Sequence, residues 1–156
     1  MERPDARSET EQLLRLRYFL TERVYYHHTK VAAGAMISKA VELAHEHGAL
    51  DEAELLQLSD GALFARLRRV PTADHPHPRS AALVDRLERR QLFKRGYVLS
   101  ARTVPRAQRV GLVERFHEVR TERGAAEAEI AAALGCDASE VIVYCPALTV
   151  MKEASV

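Results

Sequence analysis

The chain is poor in cysteine. Cys136 and Cys145 are the only two in 156 residues, and neither belongs to a CxxC pair. That excludes a zinc knuckle and a disulfide framework, and with no secretory signal at the start it points to a reduced, cytoplasmic protein. No apolar run approaches the ~20 residues a membrane-spanning helix needs, so no membrane partner is expected. Charge of one sign is also lacking: the net charge is +1, without the basic excess of a general nucleic-acid binder. Several catalytic signatures are missing: a GxSxG elbow, a GxxxxGK[ST] phosphate loop and a GxGxxG turn. Cys145 follows an apolar run and precedes Pro146, a setting for a small buried hydrophobe rather than a nucleophile. Hydrophobic residues at 47% and charged residues at 29% suffice to bury a core.

Helical periodicity dominates what is there. Residues 9–47 hold no proline and one internal glycine, Gly34, and Leu13, Leu16, Leu20, Val24, Val31, Ala35 and Leu43 recur mostly at spacings of three, four or seven. The pattern predicts a long helix with a break near Gly34, stopped at Gly48. Asp51 caps a short helix near 51–57 and Ser59 a second over 60–69. Three prolines make residues 71–78 a loop. A helix starts at Ser80 and runs to about Arg90. Residues 96–100 then read as a strand, 106–120 and 123–134 as helices closed by Gly135, and 141–145 as a second strand ended by Pro146. The expected fold class is mostly α, with a helical segment over 1–94 and a partial α+β subdomain over 95–156.

One stretch stands out, Arg23-Val24-Tyr25-Tyr26-His27-His28-Thr29-Lys30, four rings between basic residues. At about 100° per helical residue, Thr21, Tyr25 and His28 lie about 40°, 80° and 20° from Arg17, and Tyr26 lies nearly opposite. One face then carries a guanidinium, a hydroxyl, a phenol and an imidazole over roughly 12 Å. An arginine fork suits phosphate, and a tyrosine can stack on the rest of the same ligand. The bland alternative is rings buried as core filler with wetted tips, beside an arginine lying along the surface.

Residues 10–100 resemble the segment that follows the metal-binding core in HD-domain deoxynucleoside triphosphate triphosphohydrolases, the family of bacterial dNTPases and the animal SAM- and HD-domain enzyme. The resemblance rests on several pieces in order. Arg17 stands eight residues before Tyr25-Tyr26-His27, and Met36 follows in the next helix. Leu58-Ser59-Asp60 opens a helix, and Arg90-Gln91-Leu92-Phe93-Lys94 leads into the expected strand. Near the end, Glu140 to Pro146 and the terminal Met151 to Val156 resemble a small C-terminal sheet. It implies that Arg17 contacts substrate phosphate, Tyr25 lies along the deoxyribose and Tyr26 lies near the base. It also implies that His27, Arg90 and Lys94 border a regulatory nucleotide site. Arg90 and Lys94, at i and i+4 of a helix, share a face; their plain alternative is a solvated basic helix end.

The family's catalysis uses a metal held by His, His-Asp and Asp, and the dipeptide His-Asp occurs nowhere in the chain. His45 and His47, at i and i+2 of a helix, diverge by about 200°; His75 and His77 sit in the proline-rich loop. No catalytic residue and no cofactor is therefore expected from this chain, and a divalent metal only in a partner HD core. The implied protein is the substrate-pocket and regulatory portion of a dNTP triphosphohydrolase, inactive alone. Its partners would be dNTP and either a complementary HD-core chain or copies of itself. A non-catalytic oligomerising or nucleotide-binding relative, pairing through Leu13, Leu20 and Val24, is the alternative. Nucleic-acid binding, on the arginines at 66–69 and 86–95, is the weakest reading, given the near-zero net charge.

Overall fold

A computed structural model describes residues 4–69, 79–99 and 103–147. The architecture is mostly α. By packing the chain divides into two units, residues 1–31 and 32–156.

The first unit is helix α1 (Pro4–Leu20), a π-helical turn (Thr21–Tyr25) and the first four residues of α2 (His28–Glu46). The break predicted near Gly34 falls instead at Tyr26-His27. There the π-turn closes by an i→i+5 bond from the Tyr26 N–H to the Thr21 carbonyl at 3.0 Å, and the helix restarts at His28. Gly34 lies inside α2, with open space where a Cβ would stand. None of Leu13, Leu14, Leu16, Phe19, Leu20 or Val24 is buried.

The second unit holds the core. Met36, Ala40, Leu43 and Ala44 of α2 pack with Leu50, Leu67, Leu83 and Val84, and Phe64, Leu87 and Phe93 flank them. Apart from Leu50 and Phe93, which lie outside the helices, these come from α2, α4 (Asp60–Leu67) and α5 (Arg79–Glu88), with α3 (Glu52–Leu55) between. The caps form where the sequence puts them. Asp51 accepts from the Glu54 N–H at 2.7 Å and Ser59 from the Ala62 N–H at 3.4 Å. Gly48 and Gly135 take the left-handed conformation (φ 64° and 69°) after α2 and α7 (Arg120–Leu134), a role that glycine fills without strain. Buried Ser80 donates to the Leu67 carbonyl at 2.8 Å, tying α5 to the end of α4. The helix expected over 106–120 divides into α6 (Arg106–Val113) and a second π-turn (Glu114–Glu118). The loop at 71–78 and its two histidines lie outside the described residues.

The α+β character expected of residues 95–156 is corrected. Neither 96–99 nor 141–145 is a strand, and no strand occurs among the described residues; Ser100 lies outside them. A strand needs a partner ladder, and here the backbone finds side chains instead. The Val143 N–H donates to Glu127 Oε1 at 3.0 Å, and the Cys145 carbonyl meets His117 Nδ1 at 2.9 Å. Residues 97–99 project Tyr97, Val98 and Leu99 outward. No described helix is long and apolar enough to cross a membrane.

Candidate functional site

Arg17 lies in the last turn of α1, its carbonyl accepting from the Thr21 hydroxyl at 2.8 Å. The π-turn that follows changes the angular arithmetic. An i→i+5 turn holds more residues than an α turn, so each step rotates through less than ~100°. Tyr25 therefore lies closer to the azimuth of Arg17 than the ~80° of a continuous α-helix. Tyr25 is 57% exposed, and the Lys30 ammonium sits 4.8 Å from its ring centroid, a cation–π distance. Tyr26 is more covered. His27 and His28 place their rings 4.3 Å apart, tilted by 36°, and His27 Nδ1 accepts from the Thr29 N–H at 3.3 Å. Every residue from Arg23 to Lys30 is exposed. Periodicity missed both Lys30 and the π-turn. The signal available for them was the crowding of bulky residues at 23–28, which strains an α register.

Arg90 and Lys94 lie in the second unit. Helix α5 ends at Glu88, so the two share no helix face, and that part of the expectation is lost. Arg90 has φ 56°. It fills the left-handed position of a helix-ending motif, with the Gln91 N–H on the Arg86 carbonyl at 2.8 Å and its own N–H on the Leu87 carbonyl at 3.0 Å. Glycine is the usual occupant, and a residue with a Cβ costs about 1 kcal/mol there. Arg90 and Lys94 are both exposed.

A feature the sequence did not announce is an open depression of about 360 Å³ between α2, α7 and residues 142–147. Glu127, 2% exposed, binds Lys39 with one carboxylate oxygen and the Val143 N–H with the other. Arg123 pairs with Glu42 beside it, and Arg120 reaches Glu46 at 2.6 Å. Each cation is matched by a carboxylate, so the walls carry no unopposed charge. Cys145 adds no nucleophile. Burial pushes its thiol up from the ordinary cysteine range, against the smaller lowering pull of Arg123, so it stays protonated at neutral pH. The depression is a structural joint: one buried acid holds together two helices and an extended segment.

Among the described residues no group of three His, Cys, Asp or Glu side chains could hold a metal ion. The His45 and His47 rings bond the carbonyls of Leu50 and Leu43 at 3.1 and 2.7 Å.

A family model described as HD associated region matches residues 8–156. No curated protein and no solved structure matches the chain.

Proposed function

Because the chain belongs to the family of HD-associated regions, the regions linked with HD-domain proteins, we propose that it forms the substrate wall and regulatory part of a dNTP triphosphohydrolase. Its metal-bearing HD core would be supplied by a partner. In this reading Arg17 presents its guanidinium to substrate phosphate, Tyr25 lies along the sugar and Tyr26 near the base. His27, Arg90 and Lys94 contact a regulatory nucleotide. The reaction is hydrolysis of a dNTP to deoxynucleoside and triphosphate. The metal step belongs to the partner, and this chain's residues bind and orient.

The observation that supports the reading best is the exposed π-turn, which draws Tyr25 toward the Arg17 azimuth and sets Lys30 over the phenol ring. A cation over one exposed ring, with Arg17 two turns earlier in the chain, suits a ligand that is anionic at one end and flat at the other. Calorimetry with dGTP and dATP tests it. Binding should weaken by roughly tenfold or more in Arg17→Ala, the loss of a charge-assisted contact. Equal heats from both proteins would remove Arg17 from the site.

A second reading has its own observation. Leu13 is 67% exposed, and Leu16, Leu20 and Val24 are each more than half exposed, a stripe suited to another apolar surface. In a non-catalytic protein that stripe would pair copies of the chain. Sedimentation of Leu16→Glu separates the readings: a monomer that still binds dGTP favours the pocket wall, and a loss of assembly with no nucleotide binding in either protein favours the oligomer.

A further inference from the structure

Residues 141–147 form neither helix, strand nor turn. Val141 enters them extended, at φ −116° and ψ 134°. Along an extended chain the N–H and C=O of one residue point to one edge and those of the next residue to the other. One edge here is occupied. The Val143 N–H donates to Glu127 Oε1 at 3.0 Å, and the Cys145 carbonyl meets His117 Nδ1 at 2.9 Å. Helix α7 and the second π-turn therefore stand where a neighbouring strand would lie. The opposite edge carries the N–H and C=O of Ile142 and of Tyr144, and none of these four groups has a hydrogen bond among the described residues.

This open edge is short and bounded. Before it, the Glu140 N–H is taken by the Asp137 carbonyl at 2.9 Å. After it, Pro146 has no N–H to offer. Between the two stops the chain is β-branched and aromatic, the composition that suits a ladder. A row of unpaired donors and acceptors is a template for another strand.

We propose that this edge pairs with the same edge of a second copy of the chain, as a two-fold antiparallel ladder centred on Val143. In that register Ile142 of each copy lies opposite Tyr144 of the other. Every free N–H then meets a free carbonyl, so the edge is complementary to itself in charge. A shift of two residues either way sets Glu140 or Pro146 against the other copy's free groups and leaves some of them unmet. The side chains agree with this register. Ile142 packs against the core, whereas Tyr144, two residues on, is 56% exposed. Pairing lays that phenol ring beside Ile142 of the other copy, an aromatic–β-branched pair of the kind that stabilises sheets. No charged residue lies between Val141 and Cys145, so no like charges are opposed. A ladder this short buries less than the ~1,200 Å² of a stable interface, so by itself it forms a weak dimer, with Kd on the order of 0.1–1 mM. The proposal rests neither on the triphosphohydrolase reading nor on pairing through α1, because Arg17, Tyr25 and Leu16 take no part in it.

Disulfide trapping of the full chain tests the register, in a background with Cys136→Ser and Cys145→Ser. Val143→Cys sets two thiols in a non-hydrogen-bonded pair, with Cα atoms about 4.5 Å apart, inside disulfide range. Mild oxidation near the expected Kd should give a covalent dimer. Tyr144→Cys should give little, because the two-fold holds its copies more than ~7 Å apart. Sedimentation equilibrium of the unsubstituted chain should show a reversible dimer. Tyr144→Pro should abolish it, since it removes a free N–H while leaving every observed bond in place; circular dichroism checks that the helices persist. Tyr144→Ala keeps the N–H and should weaken the dimer by about twofold to fivefold. A monomer at every concentration, equal trapping at positions 143 and 144, or a dimer indifferent to Tyr144→Pro would each overturn the proposal. A dimer lost in Leu16→Glu but kept in Tyr144→Pro would overturn it too, and would assign association to α1. If dGTP binds through Arg17 while the chain stays monomeric, this inference fails and the pocket reading stands.

Discussion

Helices α1 and α2, of 17 and 19 residues, both carry apolar residues at helical spacing but differ in what they do with them. The apolar residues of α1 are all exposed, and its surroundings are set by charge and by the π-turn. Met36, Ala40, Leu43 and Ala44 of α2 are almost fully buried and define the centre of the core. Periodicity alone cannot tell these helices apart, because it reports that a stripe exists and not what covers it. The contrast suits a protein whose α2 to α7 region folds around its own core while α1 presents a surface for something else.

Mutation can break or sharpen that contrast. The largest effect is expected at Glu127. Glu127→Ala strands Lys39 and leaves the Val143 N–H without its acceptor, for a loss of about 3–5 kcal/mol in urea unfolding; a change within ~0.5 kcal/mol would show that the joint holds nothing. Next is Leu67→Ala, which opens a cavity in the core and should destabilise by about 2–5 kcal/mol. The matching change on α1, Leu16→Ala, should stay within ~0.5 kcal/mol. Similar losses at the two leucines would erase the contrast. Arg90→Gly should stabilise by about 1 kcal/mol by relieving the left-handed backbone, while weakening any nucleotide bound there. A stabilised variant with unchanged nucleotide affinity would leave the arginine at that position without a functional reason. Gly34→Ala should add about 0.5–1 kcal/mol, since α2 is helical there and nothing crowds the new methyl. The smallest effect concerns Cys145. Its raised thiol pKa favours the neutral form in the folded state, so its contribution to stability is full below the unfolded-state pKa and is lost as pH rises through the folded-state value. Alkylation of Cys145 should accordingly need a higher pH than that of a free thiol, and a rate equal to a free thiol's at every pH would remove the burial effect.

How much of this was legible in the sequence follows from the range of each interaction. The caps at Asp51 and Ser59 and the stops at Gly48 and Gly135 depend on groups a few residues apart, and the sequence displays them directly. The mostly α fold follows from them and from periodicity. The Lys39–Glu127 pair joins residues 88 apart in the chain, and on a helix rich in alanine Glu127 looks like an ordinary solvent-facing acid. Val141-Ile142-Val143 looks like a strand because β-branched residues fit a ladder, but among the described residues no strand lies beside it, so Glu127 takes the Val143 N–H and His117 the Cys145 carbonyl just beyond. At the candidate site the sequence supplied Arg17 and the tyrosines, while the π-turn that sets their azimuths and the approach of Lys30 depend on backbone geometry that a uniform α-helix does not contain.

The most direct test of the account is reconstitution. The chain is mixed with an HD-domain chain that carries a complete His, His-Asp and Asp ligand set, and release of triphosphate from dGTP is followed. The account predicts hydrolysis by the mixture, none by this chain alone, and its loss in a mixture containing folded Arg17→Ala. Undiminished hydrolysis with Arg17→Ala, or an inactive mixture of two well-folded chains that bind each other, would contradict it.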